Sequence, residues 1–402
     1  MARLRHIICL LLLAAFAPQG LFADRYTVVV SFDGFRDDYT RTFSTPFLDS
    51  LARMGVSATM QPSYPSKTFP NHYTIATGLV PDHHGIIANK FLDIASGITF
   101  ALGQPTSADP RFWGGEPVWN TAARQGVKAG IVYWPGSDVC IGGRYPDYYH
   151  NYAHKPLLSY PQRISEVARY LSLPVAERPR LVMLYFDEPD HTGHGRSPYA
   201  PETRREVERM DHIAEELYAT LQTLPERDSI NIIVLSDHGM APVDTAHVVN
   251  INDYVRPEWV ERMQLDLPTH IWPSKGCEAK IMDALRRMPH VRAWRKAEVP
   301  AYLSYGTNAN IGPIVVNPDC GWMIADRGGY KLRVGGMHGY DPTSHDMQVP
   351  FRAVGPDFRR GYHKKEVFRN TAIYPLLCRL LGISPASCDG SISDVQDMLE
   401  SR

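Results

Sequence analysis

Acids and imidazoles recur through this 402-residue chain in short groups whose spacing suits metal chemistry. In Asp190-His191-Thr192-Gly193-His194 a carboxylate and an imidazole stand four positions apart, so one helical turn or a tight loop brings both to one side. Asp237-His238 supplies an adjacent pair, and Asp33 a third carboxylate. His338 lies in Gly336-Met337-His338-Gly339, where the glycines let backbone approach a ligand closely. Nitrogen and oxygen donors of this mix suit zinc best, with manganese or iron as alternatives. There are donors enough for two ions, and two ions about 4 Å apart clamp the attacking and leaving oxygens of a phosphoryl displacement. Such a displacement needs a nucleophile, and Pro65-Ser66-Lys67-Thr68-Phe69-Pro70-Asn71-His72 holds Thr68 in a proline-bracketed turn. A hydroxyl is a poor nucleophile at neutral pH, but metal coordination lowers its pKa and makes the alkoxide accessible. Read singly, each aspartate is a helix cap and the threonine an ordinary loop hydroxyl. In combination the bland readings weaken.

These groups follow elements that would line them up. Tyr26–Phe32 is an unbroken apolar and β-branched run, the pattern of a strand buried on both faces, and Ala129–Tyr133, Leu181–Phe186 and Ile230–Leu235 repeat it. Between the last two, Val207, Met210, Ala214, Leu217, Leu221 and Leu224 recur at helical spacing, with Arg and Glu on the other face. Strand–helix–strand alternation implies an α/β fold, a mostly parallel sheet flanked by helices. Asp33, Asp187 to His194 and Asp237-His238 all fall just after strands, at the edge where open α/β sheets bind ligands. From Tyr254 to Arg327 the periodicity is less regular: Glu278 to Met288 reads as helix, Val299 to Ser304 and Gly312 to Val316 as short strands. A small α+β insertion over about 255–329, returning to the core at Met337, accounts for this. Thr371 to Leu381 reads as a closing helix.

Composition narrows the class further. Apolar residues make up 44% and charged residues 21%, which fits a soluble globular protein and not a disordered chain or coiled coil. Lysine and arginine number 42 against 43 acids, so no basic footprint for duplex nucleic acid exists. Arg3 and Arg5 precede an apolar run, Ile7 to Phe16, too short to span a bilayer, and Leu21-Phe22-Ala23 has a small-residue cleavage pattern. Residues 1–23 are therefore expected to be a signal peptide and 24–402 a periplasmic or secreted catalytic domain with no stable membrane span. Loss of Cys9 with the leader leaves Cys140, Cys277, Cys320, Cys378 and Cys388, of which Cys378 and Cys388 are the most local candidates to pair. Nothing forces an oligomer, and a monomer is expected.

Five motifs occur in order: Ser66-Lys67-Thr68-Phe69-Pro70-Asn71-His72-Tyr73, Trp134-Pro135-Gly136-Ser137-Asp138-Val139, Glu188-Pro189-Asp190 ending in Gly193-His194, Ser236-Asp237-His238-Gly239-Met240, and His338-Gly339-Tyr340-Asp341. Together they resemble the nucleotide pyrophosphatase/phosphodiesterase family of the alkaline phosphatase superfamily, over nearly the whole mature chain. The resemblance implies an alkaline-phosphatase-like core, two Zn2+ per chain and a phospho-threonine intermediate. By motif position Asp190, His194 and His338 would hold one zinc. Asp33, Thr68, Asp237 and His238 would hold the other, with Thr68 attacking. Asn89 matches the family asparagine that, with the Thr68 backbone N–H, stabilises a non-bridging phosphoryl oxygen. Phe69 and Tyr152 would sandwich a nucleobase, and Trp134 and Tyr185 complete the pocket wall. His72, His83, His84 and His191 match no ligand position and are expected to be structural or at the surface, and Asp187, where the family often has glutamate, is left outside the zinc shell. The implied activity is hydrolysis of nucleotide 5′-phosphodiester and pyrophosphate bonds. A phosphodiesterase for choline-bearing glycerophosphodiesters or lysophospholipids, its aromatics caging a cation, is the alternative. A non-catalytic exported zinc-binding protein is the second. Monoester hydrolysis is disfavoured because no arginine lies near Thr68 in the sequence.

Overall fold

Successive side chains leave a strand on opposite faces, and the apolar runs use both. Val28 and Val30 enter one hydrophobic layer and Val29 the other; Val182 and Leu184 split in the same way from Leu181 and Met183, and Ile232 and Val234 from Ile233 and Leu235. Strands with no polar face have to be covered twice, which explains runs that are unbroken instead of alternating. The computed structural model describes residues 25–327 and 334–401, so the expected leader lies outside the described residues.

These strands form a nine-stranded sheet. Its order is Tyr362–His363, Val56–Gln61, Val349–Val354, Ile230–Leu235, Tyr26–Phe32, Leu181–Phe186, Ala129–Val132, Tyr148–His150, with Phe368–Arg369 also paired to Val56–Gln61. Every pairing is parallel except those of Val349–Val354, which runs antiparallel to both neighbours. The fold is thus α/β with a mostly parallel sheet, as the sequence pattern implied. Helices Thr68–Thr77, Val118–Arg124 and Ile373–Leu381 cover the Val29 side, and Pro46–Met54, Tyr160–Leu171 and Pro201–Gln222 cover the other. The six apolar residues that mark the face of the long helix Pro201–Gln222 and its exit are all buried. That face also carries Asp211, whose carboxylate accepts the Phe47 and Leu48 backbone N–H groups at 3.1 and 2.7 Å. A carboxylate on one helix thereby satisfies the orphan donors at the start of another.

The irregular segment builds its own antiparallel sheet, ordered Val260–Gln264, Thr269–Pro273, Ile314–Pro318, Val291–Arg295, and packs helix Glu278–Leu285 on it through Ile271, Ile281, Ile314 and Val316. Val299 to Ser304 differs from expectation: it is a 3-10 turn over Ala301–Leu303, entered from Pro300 and left through Ser304 at φ 48°. Proline has no ladder donor and a left-handed residue ends an extended run, so neither end supports a strand. Strand Gly335–Met337 then pairs antiparallel with Ala241–Val243, Met337 opposite Ala241. The described cysteines are all free, and the Cys388 thiol donates weakly to the Gly390 carbonyl at 3.5 Å instead of pairing with buried Cys378. No described helix is long and apolar enough to cross a membrane.

Asp211→Ala should lower unfolding free energy by about 1–3 kcal/mol in urea titrations, because two inter-helix N–H groups lose their acceptor. A loss below about 0.5 kcal/mol would show that those groups reach water.

Candidate active site

Three neighbouring parallel strands end together, and their carboxyl-terminal loops carry the acids. Asp33 follows Tyr26–Phe32, Asp190 opens the helix Asp190–Arg196 beyond Leu181–Phe186, and Asp237 and His238 follow Ile230–Leu235. The loops are bonded to each other: Asp190 N–H donates to the Asp33 carbonyl at 3.0 Å, and Gly34 N–H to Asp237 Oδ1 at 3.2 Å. Gly34 has φ 66°, and a Cβ there would lie 2.8 Å from Asp190 Cβ. Only glycine permits that approach. The two-stranded ladder of Met337 against Ala241 returns His338 to the same place from far along the chain.

Two donor groups result. Asp190, His194 and His338 form one, and Asp33, Asp237 and His238 the other, the ligand atoms within each lying within 4.8 Å of one another. Each imidazole is oriented from behind. Nδ1 of His194, His238 and His338 meets the carbonyl oxygen of Gly336, Gly239 and Ser66 respectively, each at 2.9 Å. A carbonyl only accepts, so Nδ1 carries the proton and Nε2 presents its lone pair as an acceptor. His194 Nε2 and His338 Nε2 then face each other at 3.1 Å. Two lone pairs at that distance repel unless a cation lies between them. The carboxylates give the same message: Asp33 Oδ1, Asp190 Oδ1 and Asp237 Oδ2 are buried without a hydrogen-bond partner.

Burial pushes all three carboxyls well above the ordinary range, and neighbouring carboxylates add to it: Asp190 for Asp33, Asp237 for Asp190, Asp33 for Asp237. Burial holds His238 and His338 well below the usual imidazole range, so both stay neutral. Neutral imidazoles and acids that ionise only beside positive charge are what a divalent cation takes. The donor set therefore fits two metal ions of zinc type.

Thr68 begins the helix Thr68–Thr77, and its hydroxyl lies 3.1 Å from His238 Nε2. Asn89 Oδ1 accepts the Phe69 N–H at 3.1 Å, which leaves the Asn89 amide nitrogen as a donor beside the helix start. A cavity of about 1340 Å³ opens above these groups, and Asp33, Thr68, Asp190 and His194 line it. That exceeds the roughly 300–1,000 Å³ of ordinary small-molecule sites. Phe69, Trp134, Tyr152 and Tyr185 line the same cavity. Trp134 is almost wholly buried and donates its indole N–H to the His72 carbonyl at 3.0 Å. Tyr185 donates to Asp33 Oδ2 at 2.6 Å, so it holds that carboxyl in place as well as forming wall. Tyr152 is 39% exposed, edge-on to Tyr133, with the Lys155 ammonium 4.3 Å from its ring centroid.

His72 and His84 are fully buried, while exposed His83 pairs with Asp389 at 2.8 Å. His191 and Asp187 line the cavity, and neither donor group includes any of these five. Sequence reading missed Arg36. Its buried guanidinium bonds Asp38 and Tyr199, pairs with Asp346 at 2.7 Å and reaches the Met240 carbonyl. It thus ties the segments that follow Asp33, His194, His238 and His338. Lys67, next to Thr68, pairs with Asp266 at 2.6 Å, a partner too remote in the chain to be read from the sequence. For Arg36 the available signal was a lone arginine among Asp33, Asp37 and Asp38, just past the end of a buried strand.

The sequence profile of the type I phosphodiesterase / nucleotide pyrophosphatase family matches residues 27–341. Among curated relatives, a venom phosphodiesterase of Macrovipera lebetinus is 34% identical over 401 residues, covering 96% of this chain and 46% of its own length. Human ectonucleotide pyrophosphatase/phosphodiesterase family member 1 is 33% identical over 400 residues, covering 95% and 42%. The chain thus spans about half the length of the curated relatives it matches. Among solved structures, murine ectonucleotide pyrophosphatase/phosphodiesterase 5 superposes with TM-score 0.88 at 33% identity, over 94% of this chain and 100% of that one. An inactive threonine-to-alanine variant of the murine protein, in complex with AMP, matches equally well.

Chelation of divalent ions should lower the thermal midpoint, and Zn2+ should restore it. At a free concentration one hundred times Kd, each independent site adds about 2.7 kcal/mol. A midpoint unmoved by either treatment would show that the six donors hold no metal.

Proposed function

Because this chain belongs to the type I phosphodiesterase / nucleotide pyrophosphatase family, we propose that it is an exported zinc-dependent phosphodiesterase releasing nucleoside 5′-monophosphates. Its substrates are nucleotide 5′-phosphodiester and pyrophosphate bonds. The observation that carries this reading is the Thr68 hydroxyl, 3.1 Å from His238 Nε2 in a cavity walled by aromatics. In this reading Asp190, His194 and His338 hold one zinc, and Asp33, Thr68, Asp237 and His238 the other. Bound zinc would stabilise the Thr68 alkoxide and the charge developing on phosphorus and leaving oxygens. Thr68 Oγ forms a bond to phosphorus as the bond to the leaving oxygen breaks, giving a phospho-threonine ester. Water then forms a new bond to phosphorus as the bond to Thr68 Oγ breaks, so the water oxygen leaves in the nucleoside 5′-monophosphate and a water proton restores the Thr68 hydroxyl. The Asn89 amide and the Thr68 N–H, at a helix start, donate to a non-bridging oxygen as its charge grows. Phe69 and Tyr152 stack the base. Export rests on the leader sequence, and a monomer remains the expected state.

Lys155 favours nucleotides over the choline-type alternative. Its ammonium already lies against Tyr152, so a quaternary ammonium brought to that ring meets like charge. Comparison of kcat/KM for p-nitrophenyl-TMP and glycerophosphocholine tests this, and a higher value for the second would overturn the choice. Thr68→Ala should abolish turnover while much of the zinc stays bound; retained activity would remove Thr68 from the chemistry. Asn89→Ala should reduce kcat by about 10²–10³. A loss below about tenfold would mean that its amide is not aimed at the reacting phosphate. Stoichiometric zinc without turnover of any phosphodiester would leave a non-catalytic binding protein.

A further inference from the structure

His72 matches no ligand position, yet it is completely buried one helical turn behind Thr68, among groups that the chemistry uses. Its Nδ1 lies 2.9 Å from the Thr68 carbonyl and 3.3 Å from Asp237 Oδ2. Its Nε2 lies 2.9 Å from Ser31 Oγ, on the strand that ends at Asp33. The ring packs edge-on against Trp134 and Tyr185, with centroids 4.9 and 5.1 Å away. Tyr185 in turn holds Asp33.

The partners assign the tautomer. The Thr68 carbonyl facing Nδ1 can only accept, whereas Ser31 has a hydroxyl to give. Nδ1 therefore carries the hydrogen, donates it to the Thr68 carbonyl and presents its positive edge to Asp237 Oδ2. Nε2 accepts from Ser31.

We infer that His72 is a positioning residue of the reaction centre, whose Nδ1–H fixes the first turn of the Thr68 helix against the Asp237 carboxylate. The inference deepens the proposed function, since Thr68 and Asp237 belong to its metal and nucleophile set. An imidazole in this place does what partners behind ligating groups do elsewhere, where their loss costs about 10–100-fold in metal affinity.

Three substitutions separate the nitrogen from the ring. His72→Asn can present an N–H where Nδ1 stood, His72→Gln only where Nε2 stood, and His72→Phe keeps the ring packing with neither. Metal-stripped parent and variants are titrated with Zn2+ against a chromophoric chelator. His72→Asn should hold Zn2+ within about threefold of the parent, while His72→Gln and His72→Phe weaken it by about 10–100-fold. An advantage of Asn over Gln below threefold overturns the inference. Should His72→Gln fail to fold, a tenfold or greater loss in His72→Asn overturns it instead. Nitrogen chemical shifts of the metal-stripped parent give an independent reading: a proton on Nδ1 is expected, and a proton on Nε2 overturns the assignment. A parent that takes up no Zn2+ would sink the proposed function, while the imidazole shifts would still decide the role of His72.

Discussion

Two buried carboxyl groups, a third partly buried one and three imidazoles crowd one end of the sheet, and among the described residues no lysine or arginine is paired with them. Two facing Nε2 atoms at 3.1 Å and three unpartnered carboxylate oxygens form an arrangement that protein alone would not maintain at low cost. Positive charge of a dication turns each penalty into an attraction. The rest of the molecule is organised to keep these groups in place: carbonyls behind each imidazole, Tyr185 behind Asp33, Arg36 across the loops.

That crowding depends on backbone as much as on side chains. Parallel neighbours in register bring the ends of Tyr26–Phe32, Leu181–Phe186 and Ile230–Leu235 to one edge. Gly34 then lets two loops touch where any side chain would hold them apart. His338 arrives by another route, through the short ladder at Met337, so four segments distant in the chain meet. Sub-ångström requirements of metal ligation are more easily met from rigid strand ends and helix starts than from free loops.

Phe69 is half-buried and Tyr152 partly exposed, while Trp134 and Tyr185 are locked by hydrogen bonds to the centre itself. The wall thus divides into side chains hydrogen-bonded to the segments of the donor groups and side chains that rest on other aromatics. Family membership supplies the chemical context, and the murine structure superposes over its whole solved chain.

Much of this was legible in the residues. The unbroken apolar runs marked the buried strands, helical spacing marked the long helix, and acids placed after strands marked the edge. Every residue in the two donor groups was visible by type and motif. Val299 to Ser304 was misread because apolar content alone cannot show that Pro300 and Ser304 close the run. Arg36, Lys67, His72 and the second role of Tyr185 were not legible, because each acts through partners remote in the chain. Local pattern determined which elements form and which side chains could ligate, since periodicity and residue chemistry are properties of neighbours in sequence. Which lone pairs face which oxygens was decided only by tertiary structure, because hydrogen bonds are settled over about 3 Å of space between segments that the chain keeps far apart.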